Sequence, residues 1–280
     1  MILREPCLPA PWYPRQKSEI EKFLLPYKNL PREANAIAAV APHASWHYSG
    51  STAALAFASL SGDVETVVVI GGHLPSGRGL FAAFEDGVKT PLGVMPIDSE
   101  LRSEFEKEAS LKIGPVNPDR YADNTVEVLL PMARYFFPEA SLLWLRFPAE
   151  KSSFEAGKIL DKAARLAGRK IAVLASADLT HYGENFNFSP KGRGKTALDW
   201  VKNVNDAEFI KAVLEGDPDL ALKRAEKDSS SCSAGAVLGA LGFAASRGKK
   251  AALVDYKTSA DVAGDSERDS FVGYAAIKWT

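Results

Sequence analysis

Short apolar runs rich in valine recur along this chain, and they constrain its fold more than any other feature. They span residues 36–42, 65–73, 142–147, 170–176, 251–256 and 271–278. Each run has the length of a β-strand, and a continuous apolar run of this length is typical of a strand that is buried on both faces. The chain therefore has the strands of a large internal sheet.

Segments with a helical spacing of apolar residues lie between these runs. They span residues 17–25, 98–110, 151–167, 195–226 and 233–246, with breaks in the fourth near Asn203 and at Gly216-Asp217-Pro218. This alternation predicts an α/β fold with a central, mostly parallel or mixed sheet and helices on both faces. We expect a single domain over residues 1–280, and sheets of this kind bind ligands beyond the carboxyl ends of their strands.

Charge and hydropathy exclude two classes of partner. The 280 residues carry a net charge of −1 with no block of like charge, so we expect no nucleic-acid partner. No run approaches the roughly 18 apolar residues that cross a bilayer, and the first residues lack the pattern of a signal peptide. With only two cysteines, the sequence favours a reducing, cytoplasmic location.

Three of the four histidines follow separate apolar runs. His43 comes just after the run 36–42, His73 ends the run 65–73, and His181 lies five residues past the run 170–176. If these runs are neighbouring strands of one sheet, the three rings meet at one edge, where they could bind a metal or transfer protons. His47 either faces the same site or is a solvated ring in a turn.

Two further residues add chemistry to this edge. Cys232 lies at the start of a helix of small residues, where the helix dipole lowers the pKa of a thiol. It is therefore a candidate metal ligand or nucleophile, and otherwise a small buried packing residue. Asp178 precedes His181 by three residues and could either orient an imidazole or cap a turn.

Seven motifs, in order, resemble those of the Memo family, whose bacterial and archaeal members are component B of the AmmeMemoRadiSam system. The motifs are PAPWYP (9–14), APHASWHYSG (41–50), VIGGH (69–73), KTPLGVMPID (89–98), SADLTHYG (176–183), SCSAGAVLGAL (231–241) and DSFVGYAAI (269–277). The resemblance covers nearly the whole chain. It implies a fold similar to that of class III extradiol dioxygenases, which use non-haem Fe(II).

The resemblance also assigns roles to residues. It implies that His43, His73 and Cys232 bind a divalent metal, with Fe(II) favoured and copper or zinc as alternatives because a thiolate is a soft ligand. It places His181 as an acid–base group, with Asp178 beside it. The residues expected to line the substrate cleft are His47, Trp46, Tyr48, Asn124 and Tyr182. The ligand would be an unknown small molecule or peptide, and radical-SAM and AMMECR-type proteins are the implied partners.

The chain departs from the family pattern around these residues. Ser45-Trp46 stands where the family has Gly-Tyr, and Gly72 stands where an Asn or Ser precedes the second histidine. Asn124 replaces a histidine, and Ser233-Ala234 follows Cys232 in place of Gly-Arg. The three metal ligands are retained, whereas the residues around them are altered.

Three functions are compatible with these residues. The favoured one is a metal-dependent redox enzyme of the extradiol-dioxygenase-like class. The second is a cysteine hydrolase or transferase in which Cys232 is the nucleophile, His181 its base and Asp178 the orienting acid; it leaves His43 and His73 without a role. The third is a non-catalytic protein that binds a metal or a peptide within an assembly.

Overall fold

The apolar runs form strands of one mixed sheet in the computed structural model, which describes residues 1–31, 36–109 and 123–280 and the backbone of 111–114. The strands within these residues are β1 (Leu3–Arg4), β2 (Ala38–Ala41), β3 (Thr66–Leu74), β4 (Leu80–Ala83), β5 (Gly87–Thr90), β6 (Gly93–Pro96), β7 (Leu111–Gly114), β8 (Ser141–Pro148), β9 (Ile171–Ser176), β10 (His181–Tyr182), β11 (Ala251–Thr258) and β12 (Phe271–Trp279).

The helices flank this sheet. Those described are α1 (Lys17–Lys28), α2 (Trp46–Ser59), α3 (Ser99–Glu108), α4 (Asn124–Glu127), α5 (Leu130–Phe136), α6 (Ser152–Leu166), α7 (Gly194–Trp200), α8 (Asp206–Glu215), α9 (Pro218–Asp228), α10 (Ala234–Ser246) and α11 (Ser259–Ala263). A 3₁₀ turn (Glu184–Phe186) follows β10, and a π-helix (Val201–Asn205) joins α7 to α8.

The main sheet has a parallel centre and antiparallel margins. Its nine described strands have the order β10-β12-β2-β9-β3-β8-β4-β7, with β11 paired to β12. The four strands β2, β9, β3 and β8 are parallel, whereas β12 runs antiparallel to β2 and β4 antiparallel to β8. The predicted α/β class with a mixed sheet is confirmed. A separate small sheet has the order β1-β5-β6.

Alternate residues of the central strands pack on opposite faces of the sheet. In β3, Val68 and Ile70 pack with residues of α3, α6 and α10, whereas Val67 and Val69 pack with residues of α1, α2 and α5. Burying one such side chain contributes about 1.5–3 kcal/mol, so a continuous apolar strand covered on both faces is strongly held. This burial fixes the strand ends that carry the site.

Glycines allow α10 to lie directly against α6. A side chain at Gly157 of α6 would overlap the carbonyl oxygen of Gly239 in α10, and one at Gly242 would overlap the carbonyl of Phe154. Because α10 is built of small residues, its backbone approaches both α6 and the sheet. The start of α10, which follows Cys232, is thereby fixed relative to the strand ends.

The structure corrects four details of the predicted elements. Residues 46–59, for which no helix is predicted, form α2. The predicted break near Asn203 is a π-helix, in which the chain stays helical. β11 pairs only with β12 among the described strands and is half-exposed rather than buried on both faces, because it lies at an edge of the sheet. The predicted helix 98–110 ends at Glu108, and residue 110 lies outside the described residues.

Among the helices that can be described, none combines the length and the apolar character needed to cross a bilayer.

Candidate metal centre and cleft

Neighbouring parallel strands deliver the predicted site residues to one edge of the sheet. His43 follows β2, His73 lies at the end of β3, and Asp178 follows β9. Because β9 lies between β2 and β3 and is parallel to both, the three carboxyl ends are adjacent. Cys232 reaches the same edge from the start of α10, and its N–H donates to the carbonyl oxygen of Asp178 at 3.2 Å.

His43, His73 and Cys232, which we call the triad, converge on one point. Their candidate ligand atoms all lie within 4.8 Å of one another. The Cys232 Sγ lies 3.2 Å from His43 Nε2, and the two imidazole rings meet edge to face with centroids 4.9 Å apart. Two imidazoles and a thiolate are donors that iron, copper and zinc accept, so this set could hold a divalent ion.

His73 reaches the triad through an irregular backbone. The register of β3 against β8 shifts between Gly71 and Leu74, and His73 has a φ of 56°, in the left-handed region. Such a conformation costs a non-glycine residue about 1–3 kcal/mol, and bulges at strand ends commonly redirect a side chain. The strained backbone at His73 therefore lowers stability locally but directs the imidazole ring toward His43 and Cys232.

Hydrogen-bonding groups behind the rings set their orientation. The Ser176 hydroxyl lies 2.9 Å from Nδ1 of His43, which leaves Nε2 facing the sulfur. An Asp123 carboxylate oxygen lies 3.6 Å from Nδ1 of His73, and the buried Arg146 lies 3.3 Å from the other oxygen of that carboxylate. A carboxylate or hydroxyl behind a metal-binding imidazole fixes the ring and its tautomer.

Cys232 and the two imidazoles of the triad shift one another's pKa values through opposite charge. Burial alone would raise the pKa of the Cys232 thiol, but the neighbouring His43 and His73 imidazoles outweigh burial and hold that pKa well below its usual range. Burial alone would lower the pKa of His73, but Asp123 and the Cys232 thiolate raise it to about 10. At His43, the charges on Cys232 and Asp178 likewise outweigh burial and raise the pKa. These pKa directions favour a deprotonated Cys232 and protonated imidazoles at His43 and His73.

Asp178 connects the triad to the region of His181. It is buried, and its Oδ1 accepts a hydrogen bond from the His43 N–H at 2.7 Å, while its Oδ2 lies 3.9 Å from His43 Nε2. Burial raises the pKa of this carboxyl more than the charge on His43 lowers it. Nδ1 of His181 lies 3.2 Å from the carbonyl oxygen of Leu179, which can accept a hydrogen bond from that nitrogen.

A buried polar cluster supports the chain beside His181. The N–H and hydroxyl of Thr180 donate to the carboxylate of Asp206, which also accepts from the Tyr256 hydroxyl at 2.8 Å. Asn205, the last residue of the π-helix, donates to the Thr180 hydroxyl oxygen at 2.9 Å. Burial raises the pKa of Asp206 to about 6 against the effect of these hydrogen bonds. This cluster holds the start of β10, and with it His181.

A pocket of about 430 Å³, which we call the cleft, opens beside the triad. Its size is that of a small-molecule site. The lining residues are Pro11, Trp12, Ala44, Ser45, Tyr48, Asn124, Asp178, His181, Asn185, Phe186, Ser259, Arg268, Ser270, Phe271, Val272 and Tyr274. Asp178 and His181 thus line the same cleft as several aromatic and polar side chains.

Two of the five predicted cleft residues are in place, and three are not. Tyr48 and Asn124 line the cleft, and the Asn124 amide donates to the His43 carbonyl oxygen at 3.0 Å. Trp46 and His47 line a different groove, because successive residues of α2 point about 100° apart around the helix. Tyr182 is fully buried behind the cleft, where its ring stacks on Phe271.

The departures at Gly72 and Ser233 are complementary in space. A side chain at Gly72 would overlap the Ser233 side chain and approach its Cα to 2.8 Å. This chain thus has no side chain on the β3 side and has one on the α10 side. Gly72 leaves the space that the Ser233 side chain occupies, next to His73 and Cys232.

Several site residues were not predicted. Asp123, Arg146 and Ser176 hold the rings of the triad, but isolated polar residues in a sequence do not reveal what they face. Phe186 and Arg268 line the cleft from two loops that are more than 80 residues apart in the chain. The only sequence signal is the single arginine, Arg268, within the otherwise acidic segment 259–270, and it does not indicate what the side chain faces.

Comparison with known proteins identifies the family. The sequence profile of the family described as Memo-like protein matches residues 4–278. A MEMO1 family protein of Archaeoglobus fulgidus is 31% identical, over 98% of each chain, and one of Pyrococcus abyssi is 30% identical, over 99% of each chain.

A solved structure supports the fold. An uncharacterized protein from Escherichia coli K12 superposes with a TM-score of 0.53 at 13% identity, covering 87% of this chain and 99% of the other. That similarity concerns the fold alone. The family match over residues 4–278 and the full-length relatives show that this chain belongs to the Memo-like protein family.

Proposed function

We propose that this protein is a non-haem metal-dependent redox enzyme of the extradiol-dioxygenase-like class. The observation that carries the proposal is the triad, in which two imidazoles and a thiolate lie within 4.8 Å of one another beside a small-molecule cleft. The ion held by His43, His73 and Cys232 would supply Lewis-acid and redox chemistry. The resemblance to the dioxygenases favours Fe(II), with copper and zinc as alternatives.

The residues of the chain would bind the substrate and move protons. His181 lines the cleft with Nδ1 turned to a backbone carbonyl, so its Nε2 would accept or release a proton of the substrate. Asp178 would hold the His43 backbone and add negative charge beside His181. The cleft walls would exclude water from the reacting atoms.

The cellular compartment and the partners proposed for this protein follow from its thiol chemistry and from the family resemblance. A reducing cytoplasm would keep both Cys7 and Cys232 as free thiols, the state in which the structure has them. Radical-SAM and AMMECR-type proteins are the proposed partners in a shared pathway.

Metal analysis combined with substitution tests the proposal. We expect about one equivalent of metal in protein that is purified anaerobically without a histidine tag, and loss of that metal in His43→Ala. His181→Ala should keep the metal, because the His181 ring is held by Leu179 and is not part of the triad, while turnover of any substrate of the wild type is lost. A His181→Ala protein that contains no metal would show that His181 is a ligand instead.

One contact favours a second candidate, a cysteine hydrolase or transferase. The Cys232 sulfur lies 3.2 Å from His43 Nε2, the geometry of a thiolate and its base. In this version the base is His43 rather than the predicted His181. Alkylation by iodoacetamide separates the two candidates: a metal ligand is protected when the ion is bound and reacts quickly after chelation, whereas a nucleophile reacts quickly in both states.

A further inference from the structure

We propose that the cleft binds a small organic carboxylate with a flat apolar body, and that Arg268 binds its carboxylate group. This inference deepens the proposed function, because it names the substrate class of the same site. It rests on the charge, the hydrogen bonding and the aromatic lining of the cleft.

Arg268 is the only permanently charged cation among the described residues that line the cleft. Its Nε donates to the carbonyl oxygen of Ser270 at 3.1 Å, and its guanidinium lies 5.9 Å from the centroid of the Tyr48 ring. These contacts hold the head group at the wall of the cleft. Neither contact uses the two terminal NH₂ groups, and these form the fork that matches a carboxylate.

The acids next to Arg268 in the sequence are directed elsewhere. Asp269 lies 3.7 Å from Arg193, and the carboxylate of Glu267 lies against Gly194. No carboxylate of the described residues lies within ion-pair distance of the Arg268 guanidinium. A half-buried guanidinium without an internal anion is suited to bind an anion from solution.

The remaining lining determines the shape of the ligand. Phe186 is 40% exposed at the cleft, with its ring edge-on to His181 at 5.0 Å, and Trp12 and Tyr48 add further aromatic surface. Aromatic side chains of this kind stack on flat apolar groups. One guanidinium suits a monoanionic carboxylate, whereas a phosphate dianion would require further cations or several N–H donors.

The experiment measures binding to metal-free protein, so that a carboxylate cannot bind to a metal. Ligand-observed NMR titrations with benzoate, benzamide and phenyl phosphate are made in the presence of a chelator. We expect benzoate to bind most tightly. Its Kd should rise about tenfold in Arg268→Gln, which is about 1.4 kcal/mol, and less in Arg268→Lys. Arg224→Gln, a control arginine on α9 outside the cleft, should leave the Kd unchanged.

Several results would overturn the inference. They are failure of benzoate to bind the wild type, equal Kd values for benzoate and benzamide, a preference for phenyl phosphate, or an unchanged benzoate Kd in Arg268→Gln. Circular dichroism of each variant shows that it is folded. Metal titration of the same proteins tests the proposed function separately. Benzoate binding that depends on Arg268 in a protein that binds no metal would reject the redox proposal and keep this inference.

Discussion

The triad and the outer wall of the cleft, formed by the turn Glu184–Phe186 and residues 268–270, are built in opposite ways. His43 follows one buried parallel strand, His73 lies near the end of another, and Cys232 lies just before a helix packed on those strands. The wall consists of loop residues, among them the exposed Phe186 and the half-buried Arg268. The groups that need precise mutual geometry are thus placed on the core, whereas the groups that select a ligand are placed where the core constrains them least.

The largest expected effect concerns the triad. Cys232→Ser should weaken metal binding about 1,000-fold or more, because a hydroxyl is a poor substitute for a thiolate that two imidazoles stabilise; this corresponds to about 4 kcal/mol. Isothermal titration of Fe(II) or Zn²⁺ under anaerobic conditions measures the change. Cys7→Ser is the matched control, since Cys7 is exposed and outside the triad, and it should bind metal as the wild type does. Equal losses in both variants would contradict a triad built around Cys232.

The same contrast explains what the sequence could and could not predict. His43 and His73 were recognisable because they end apolar runs whose burial is forced, and parallel strands bring such ends together. Arg268 was not recognisable, because its position depends on how a loop folds over β10 and β12. Trp46 and His47 were misplaced because α2 was not predicted, and a helix separates the directions of side chains that a turn would have kept together.

The buried polar cluster around Asp206, beside His181, gives the next largest effect. This effect is a change of the free energy of unfolding with pH. The pKa of buried Asp206 is raised from 3.8 to about 6. Between these two pH values the folded protein therefore keeps a proton that the unfolded chain has already released. Stability from this proton is present below pH 4 and is lost as the pH rises through 6, a total of about 3 kcal/mol. The unfolding free energy of wild type minus that of Asp206→Asn should therefore fall between pH 4 and 7.

Urea denaturation at a series of pH values measures that difference. Tyr256→Phe is the matched variant, because it keeps Asp206 and removes one hydrogen bond to its carboxylate. The pKa of Asp206 should rise further in this variant, which moves the transition to higher pH. A difference between wild type and Asp206→Asn that does not change with pH would show that Asp206 keeps an ordinary pKa.

The complementary residues Gly72 and Ser233 give a smaller effect and test how tightly the triad is packed. Gly72→Ser should destabilise the protein by about 2 kcal/mol and weaken metal binding, because the new side chain would overlap Ser233 and shift His73. Ser233→Gly alone should change both properties little. The double variant Gly72→Ser/Ser233→Gly should recover part of the loss in thermal denaturation and metal titration, because it removes the overlap with the Ser233 side chain but leaves the close approach to the Cα of residue 233. A double variant no better than Gly72→Ser would show that Ser233 is not the residue in conflict.

The smallest expected effect is the loss of folding stability when a side chain of the outer wall is removed. Phe186→Ala should change the free energy of unfolding by no more than about 0.5 kcal/mol, since its ring is 40% exposed. Phe57→Ala, which removes a fully buried ring from α2, should cost about 3–5 kcal/mol in the same urea titration. If Phe186→Ala cost as much as Phe57→Ala, the ring would belong to the core, and the wall would not be free to select a ligand. A small cost together with weaker benzoate binding would instead mean that the apolar surface of Phe186 is left exposed for the ligand, so the wall could change its specificity without disturbing the strands that hold the triad.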